Sequence, residues 1–288
     1  MFRYLLVPAT GSASDLRVFR AALALARPQA GHLVFLHVRL DVQRLLVPIA
    51  SAEYGDAAMI DGFAQSLEQD AADRHDRAKR AVQEFCAGQG IALSRTAPDN
   101  RPTAEWRVET GEEPRWLASH GRTADLLVIG RVRDQGATPM DVLDAALTGT
   151  GRPLLIVPPR LPERIGQVVA IAWKDTQEAA GAVARTLPLL AGASRVVILS
   201  VTEDFRTDPE SCERLRQELV WHNRATTVQH VAAEDRDPAD ALLKTAGDIG
   251  ADLLVMGGYG HSRMREVVFG GFTRHVLQVA DLPVLMAH

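Results

Sequence analysis

The residues best suited to chemistry lie near the end of the chain, in Gly257-Gly258-Tyr259-Gly260-His261-Ser262 and Gly270-Gly271-Phe272-Thr273. Glycine admits positive φ and lets a ligand approach the backbone closely. Consecutive amides in such turns form a concave nest for an anion. Gly270-Gly271 open a helical pattern, so unpaired first-turn N–H groups and the positive end of the helix dipole meet at one point. Thr273 adds a hydroxyl; His261 either touches the anion or stands as an exposed loop residue. The chemistry favoured is the seating of a phosphate chain. The spacing is glycine, two residues, glycine, nine residues, glycine. Walker A loops and dinucleotide-fold loops space their glycines differently.

The elements that must position this loop are written twice. Ala124-Asp125-Leu126-Leu127-Val128-Ile129-Gly130 returns as Ala251-Asp252-Leu253-Leu254-Val255-Met256-Gly257. His32–Val38 is echoed by Arg195–Val201, Tyr4–Val7 by Val168–Ile171, and Pro153–Val157 by Pro283–Met286. Each is an apolar run with little polar alternation, as strands covered on both faces are. Helical periods separate them: Leu16, Phe19, Leu23 and Ala26 in the first copy, and Ala180, Val183, Ala184, Leu187 and Leu190 in the second. Strand–helix alternation of this kind gives a parallel sheet with helices on both faces. The expected fold is therefore α/β: two tandem, open, doubly wound parallel-sheet domains. Pro158-Pro159-Arg160-Leu161-Pro162 is the join, which sets domains at 1–158 and 159–288. The closing strands Leu154–Val157 and Val284–Met286 are apolar, and a bare apolar edge strand is an aggregation hazard. The first copy carries an insertion, roughly Asp41–Asp73, expected to be a loop plus a long polar helix.

Bulk properties remove several function classes. A net charge of −4 over 288 residues offers no basic excess to neutralise a nucleic acid or an anionic membrane. No run approaches the roughly 18 apolar residues of a membrane span. The start of the sequence lacks the apolar core and cleavage site of an export signal, so a cytoplasmic location is expected. Cys86 and Cys212 lie in different halves, and the histidines show no metal-ligand spacing, so neither a disulfide framework nor a metal site is expected. No Gly-x-Ser-x-Gly elbow or Cys–His pairing nominates a nucleophile.

The glycine spacing resembles that of the universal stress protein family, whose ATP-binding members carry Gly-x2-Gly-x9-Gly-(Ser/Thr) between the fourth strand and the last helix. Gly257, Gly260 and Gly270 match in register, and Leu6-Val7-Pro8-Ala9-Thr10-Gly11-Ser12 is similar to the family's opening Val-Pro-x-Asp-Gly-Ser. The resemblance implies ATP, with Mg²⁺, in the second domain. Adenine and ribose would lie near Ala172, Trp173, Lys174 and Val201, and the triphosphate along Met256, Gly257, Gly260, His261, Gly270, Gly271, Phe272 and Thr273. Two positions depart from the family. Gly271 stands where it has Ser or Thr, and Lys174 where it has an aspartate, with the acid displaced to Asp175. In the first copy the loop has decayed: Arg133 takes a glycine position and Thr10 the aspartate's, so that copy is expected to pack rather than bind. The resemblance further implies five strands and about four helices in each domain, and a pairing of Leu154–Val157 with Val284–Met286 that makes the chain an intramolecular pseudo-dimer. It also implies a nucleotide-responsive regulatory protein, with a protein partner and a homodimer among its associations. No residue near the loop looks like a base for activating water, so fast ATP hydrolysis is not expected. The other open readings are a scaffold with an empty loop and an enzyme of the related adenine-nucleotide α-hydrolase-like folds.

Overall fold

The computed structural model describes residues 2–50, 57–97, 100–131, 139–202, 209–233, 236–258 and 271–287. The first half contributes strands β1 (Tyr4–Pro8), β2 (His32–Arg39), β3 (Ala92–Leu93), β4 (Thr103–Thr110), β5 (Leu126–Gly130) and β6 (Leu154–Val157). The second contributes β7 (Val168–Ala172), β8 (Arg195–Thr202), β9 (Thr226–Ala232), β10 (Leu253–Gly257) and β11 (Val284–Ala287). All join one sheet in the order β3-β4-β2-β1-β5-β6-β11-β10-β7-β8-β9. Every pairing is parallel except β6 with β11, where Ile156 faces Val284, Leu155 faces Leu285 and Leu154 faces Met286. The expected pseudo-dimer is thus built edge to edge, and neither apolar terminal strand is left bare.

Successive strand residues feed opposite faces. Leu5, Phe35, Val128, Leu155, Ile171, Val255 and Leu285 belong to one buried cluster; Leu6, Val34, Leu127, Ile156, Ala170, Leu254 and Met286 belong to the other. Both clusters draw on both halves, so the core crosses the seam. The proline-rich join is fastened too, since Leu161 and Ile165 pack against the first cluster.

The first half carries helices α1 (Asp15–Ala26), α2 (Val42–Ala50), α3 (Ala57–Gln89), α4 (Glu113–Gly121) and α5 (Met140–Thr148). The second carries α6 (Gln177–Gly192), α7 (Pro209–Leu219), α8 (Pro238–Asp248) and α9 (Gly271–Val279). Several sequence expectations need correcting. The first half has a sixth strand, the two-residue β3 added outside β4, and a fifth helix, because the insertion folds as a helical pair and α3 runs 33 residues without a break into the segment that covers β2. On α1, Leu16 points to solvent while Phe19, Leu23 and Ala26 are buried. On α6 the buried stripe is Ala179, Ala182, Val183, Thr186 and Leu190, with Ala180 and Ala184 exposed. Thr186 is tolerated in that stripe because its hydroxyl donates back to Ala182 O at 2.8 Å.

The repeated aspartates have a shared task. Asp125 accepts the backbone N–H groups of Arg3 and Tyr4, and Asp252 those of Gly166, Gln167 and Val168. Each one clasps the start of its half's central strand and so anchors where that strand begins.

Candidate functional site

In each half the chain leaves the central strand in one direction and returns on its other side. β7 lies between β8 and β10, as β1 lies between β2 and β5. Such a switch point opens a crevice at the carboxyl ends of the strands, where open α/β sheets take their ligands. In the second half Ala172 ends β7 opposite Leu199 of β8 and Met256 of β10, with Gly257 one residue further and Val201 two residues beyond Leu199. The structure therefore gathers Ala172, Val201, Met256 and Gly257 on adjoining strand ends. Gly271, Phe272 and Thr273 form the first turn of α9. Gly260, His261 and Gly270 lie outside the described residues.

Several of these residues have tasks the sequence did not reveal. The Met256 side chain is 4% exposed and belongs to the core, so only its backbone fronts the crevice. A Cβ on Gly257 would stand 2.6 Å from Ala179 N and 2.7 Å from Glu178 C. Glycine is required there by the closeness of the α6 backbone, whatever else it contacts. Trp173 is half-buried against the core and its indole N–H donates to Ser211 Oγ on α7 at 3.2 Å. Asp175, the displaced acid, pairs at 3.1 Å with Arg214 of the same helix, and both side chains are largely exposed. Lys174 stands between them at an exposed position, and its carbonyl accepts from Thr176 N as the chain turns into α6. Thr176 caps that helix by accepting from Ala179 N. Phe272 leans on the second core cluster, whereas Gly271 is exposed and a Cβ on it would meet nothing within 4 Å.

The first-half crevice is furnished differently. Asp15, at the start of α1, is 3% exposed. Its Oδ1 lies 2.7 Å from the Thr10 hydroxyl and 3.2 Å from that of Ser12, and its Oδ2 accepts the Gly11 N–H at 2.8 Å. Burial pushes its pKa up, against those hydrogen bonds. A resident carboxylate thus holds the donors that the β1–α1 loop would offer a ligand. Above it runs α3: Arg77 Nε donates to Gly11 O at 3.3 Å, and Gly11 at φ +75° leaves room for the Arg74 carbonyl. A cleft of about 320 Å³ remains, lined among others by Ser14, Arg74 and Glu113. Burial raises the Glu113 pKa, Asp141 and Asp15 add to the shift, and Arg74 opposes it.

His37 stands towards the end of β2 and is 2% exposed. Its Nδ1 is 2.7 Å from Ala9 O, and its ring stacks on Trp106 beside His75 of α3. Burial lowers the pKa of both histidines. One further grouping was invisible in sequence spacing. Asp237 and Asp240 at the start of α8 and His275 of α9 hold their ligand atoms within 4.8 Å of one another. Asp237 is spent on capping Ala239 N, and Asp240 meets His275 Nε2 at 2.6 Å, which ties α9 to α8.

Residues 167–288, which contain the second-half crevice and both described ends of its glycine segment, match the model of the Universal stress protein family. The second half of this chain is a universal stress protein domain. Universal stress protein Slr1230 of Synechocystis is 44% identical to this chain over 46 residues, which cover 16% of each protein. Universal stress protein MJ0577 of Methanocaldococcus jannaschii is 33% identical over 49 residues, 17% of this chain and 30% of the relative. The chain thus aligns with well under two thirds of either relative's own length. The fold likeness is longer. A universal stress protein structure from Archaeoglobus fulgidus superposes with a TM-score of 0.66 at 14% identity, covering 98% of this chain and 97% of that one. The universal stress protein fold therefore extends through both halves. Among the described residues no helix is long and apolar enough to cross a membrane.

Proposed function

We propose that the second-half crevice binds an adenine nucleotide, ATP with Mg²⁺, and that the chain acts in the cytoplasm as a nucleotide-responsive regulatory protein rather than a metabolic catalyst. The observation that carries this reading is the switch point between β7 and β10. Ala172 and Gly257 flank it on paired strands, and the glycine segment that leaves β10 ends on the first turn of α9. The first-turn amides of a helix lack intrahelical partners and suit a phosphate chain, and open α/β sheets take ligands at such a switch point. The base side is furnished less well, since Trp173 and Asp175 are both drawn towards α7. Affinity is then concentrated on the phosphates, and ATP and ADP should bind more tightly than AMP. Calorimetric titration with the three nucleotides tests this, with Gly260→Val and Gly270→Val as controls. Heat from the wild type that both variants lose supports the reading, and a wild type as silent as the variants refutes it.

A protein-interaction module is the second reading. It is favoured by Trp221, 87% exposed just after α7, and Phe63, 50% exposed on α3. Aromatic side chains, tryptophan above all, are common anchors of protein interfaces. Homodimerisation would be one form of it.

A further inference from the structure

The halves meet at β6 and β11, and the residue that follows each crevice strand sits beside that seam. In both halves its N–H donates to the last residue of the neighbouring strand: Arg131 N to Val157 O at 3.0 Å, and Gly258 N to Ala287 O at 2.9 Å. The side chains then diverge. Arg131 crosses the seam, where Nη1 donates to Ala280 O at 3.1 Å and lies 3.8 Å from Asp281 Oδ1. Ala280 closes α9, its own N–H donating to Val276 O. The last carbonyls of a helix lack intrahelical donors and carry its negative dipole end, so a guanidinium there meets both needs. This arginine side chain is only 15% exposed, which limits solvent screening. Gly258 has no side chain to send across. Leu147 of α5 comes to it instead: a Cβ on Gly258 would stand 3.0 Å from Leu147 Cδ2 and 3.1 Å from Met286 Cε.

First-half side chains therefore hold the start of the glycine segment and the far end of the helix that follows it. Leu147 lies against Gly258 where the chain leaves β10, and Arg131 holds the far end of the helix that Gly271 opens. A nine-residue helix is a rod of about 13 Å, so a tie at the carbonyl that closes it limits how far its first turn can shift along the helix axis. We infer that the first half sets the affinity of the second-half site by positioning α9 and the end of β10, with Arg131 and Leu147 as the positioning residues. The inference rests on the reading that Mg²⁺–ATP binds these elements, and neither residue need touch the ligand. It also gives the first half a task beyond packing, since that half's own loop has decayed.

The test uses the full chain. Mg²⁺–ATP is titrated calorimetrically into wild type, Arg131→Ala, Arg131→Lys and Leu147→Ala, and amide hydrogen exchange is followed in all four without nucleotide. Arg131→Ala should weaken binding about fivefold, the lower end of ordinary coupling between sites. Arg131→Lys, which keeps the charge, should recover to within about twofold of wild type. Exchange should quicken in α9 for Arg131→Ala, and at β10 and the start of α9 for Leu147→Ala, with β7 and β8 unchanged. Unaltered affinity and unaltered α9 exchange in Arg131→Ala would overturn the inference. So would an affinity loss that lysine does not rescue, or one that accompanies faster exchange throughout β7 and β8, because either makes the effect general rather than positional. If the wild type binds no nucleotide, the nucleotide reading fails by itself. The exchange data then decide the positioning alone: faster exchange confined to α9 sustains it, and unchanged exchange ends it.

Discussion

The two crevices of this molecule start from one repeated plan and arrive at opposite states. In the first half, Asp15 takes up the hydroxyl and amide donors of the β1–α1 loop, and α3 lies across it with its backbone against Gly11. In the second half the counterpart of α3 is the shorter α7, which reaches the β7–α6 loop through the Ser211 and Arg214 side chains, and Thr176 caps α6 locally. The glycine that ends the crevice strand differs as well. Gly257 is pressed against the α6 backbone, whereas a Cβ on Gly130 would meet only Val18 Cγ2 at 3.5 Å and the Ser14 side chain beyond it. An identical residue in an identical motif is therefore sterically required in one copy and optional in the other. Duplication repeated the strands, and the helices packed on them decided what each strand end could do.

The contrast can be broken most forcefully at those glycines. Gly257→Ala should cost about 3 kcal/mol, because backbone at 2.6 Å cannot yield without moving α6, while Gly130→Ala should cost less than about 1 kcal/mol. Urea unfolding of both variants measures this, and equal losses would contradict the asymmetry. The strand clasps come next. Asp252→Ala strands three backbone donors and should cost about 2 kcal/mol, against about 1 kcal/mol for Asp125→Ala, which strands two. The same unfolding curves read this pair, and a larger loss at Asp125 would reverse the order.

The third expectation concerns pH, and it sharpens the contrast because, among the described residues, the shifted histidines all lie in the first half. His32, His37 and His75 have pKa values lowered by burial, so the folded state binds fewer protons than the unfolded chain. Stability should fall as pH drops below about 6.5, the ordinary histidine value. Asp15 and Glu113 act with the opposite sign. Their raised pKa values favour the fold at acid pH, and that contribution is lost as pH rises through them. The melting temperature should therefore decline as pH drops below about 6.5, with Asp15 and Glu113 opposing that decline further into acid. His37→Gln keeps a donor for Ala9 O and should shallow the decline; an unchanged slope would remove His37 as its source. The smallest effect is expected at Asp175 and Arg214, an exposed pair. Arg214→Ala should change stability by less than about 0.5 kcal/mol, and a larger loss would mean that α7 depends on this contact.

How far the sequence could be read follows from how each element is buried. Strands covered on both faces announce themselves as apolar runs, and the repeat picks them out in both halves. The strands that lie outside β2 and β8 do not. β4 reads Thr-Ala-Glu-Trp-Arg-Val-Glu-Thr and β9 Thr-Thr-Val-Gln-His-Val-Ala, and both lie towards the sheet edges with exposed residues among buried ones. Their mixed polarity is the mark of a half-covered strand, and a search for unbroken apolar runs passes over it. The insertion is legible from the unequal lengths of the two copies, but its continuity with the following helix is not. α3 is polar along most of its course, and its packing face shows only around Ala78, Val82 and Phe85. At the candidate site the resemblance points to Ala172 and Val201, whereas Met256 and Gly257 are legible as a strand end from the repeat. The ties of Trp173 to Ser211, of Asp175 to Arg214 and of Arg131 to Ala280 are not, since each joins residues far apart in the chain.

The sequence by itself determined the duplication, the α/β class and the glycine segment, because each rests on local pattern: period, apolar run, glycine spacing. Only the tertiary structure decided which crevice is obstructed, which glycine is sterically required and which contacts cross the seam. Those outcomes depend on where helices from distant segments come to rest on the sheet, and helix packing is settled by shape and contact across the fold rather than by any pattern along the chain.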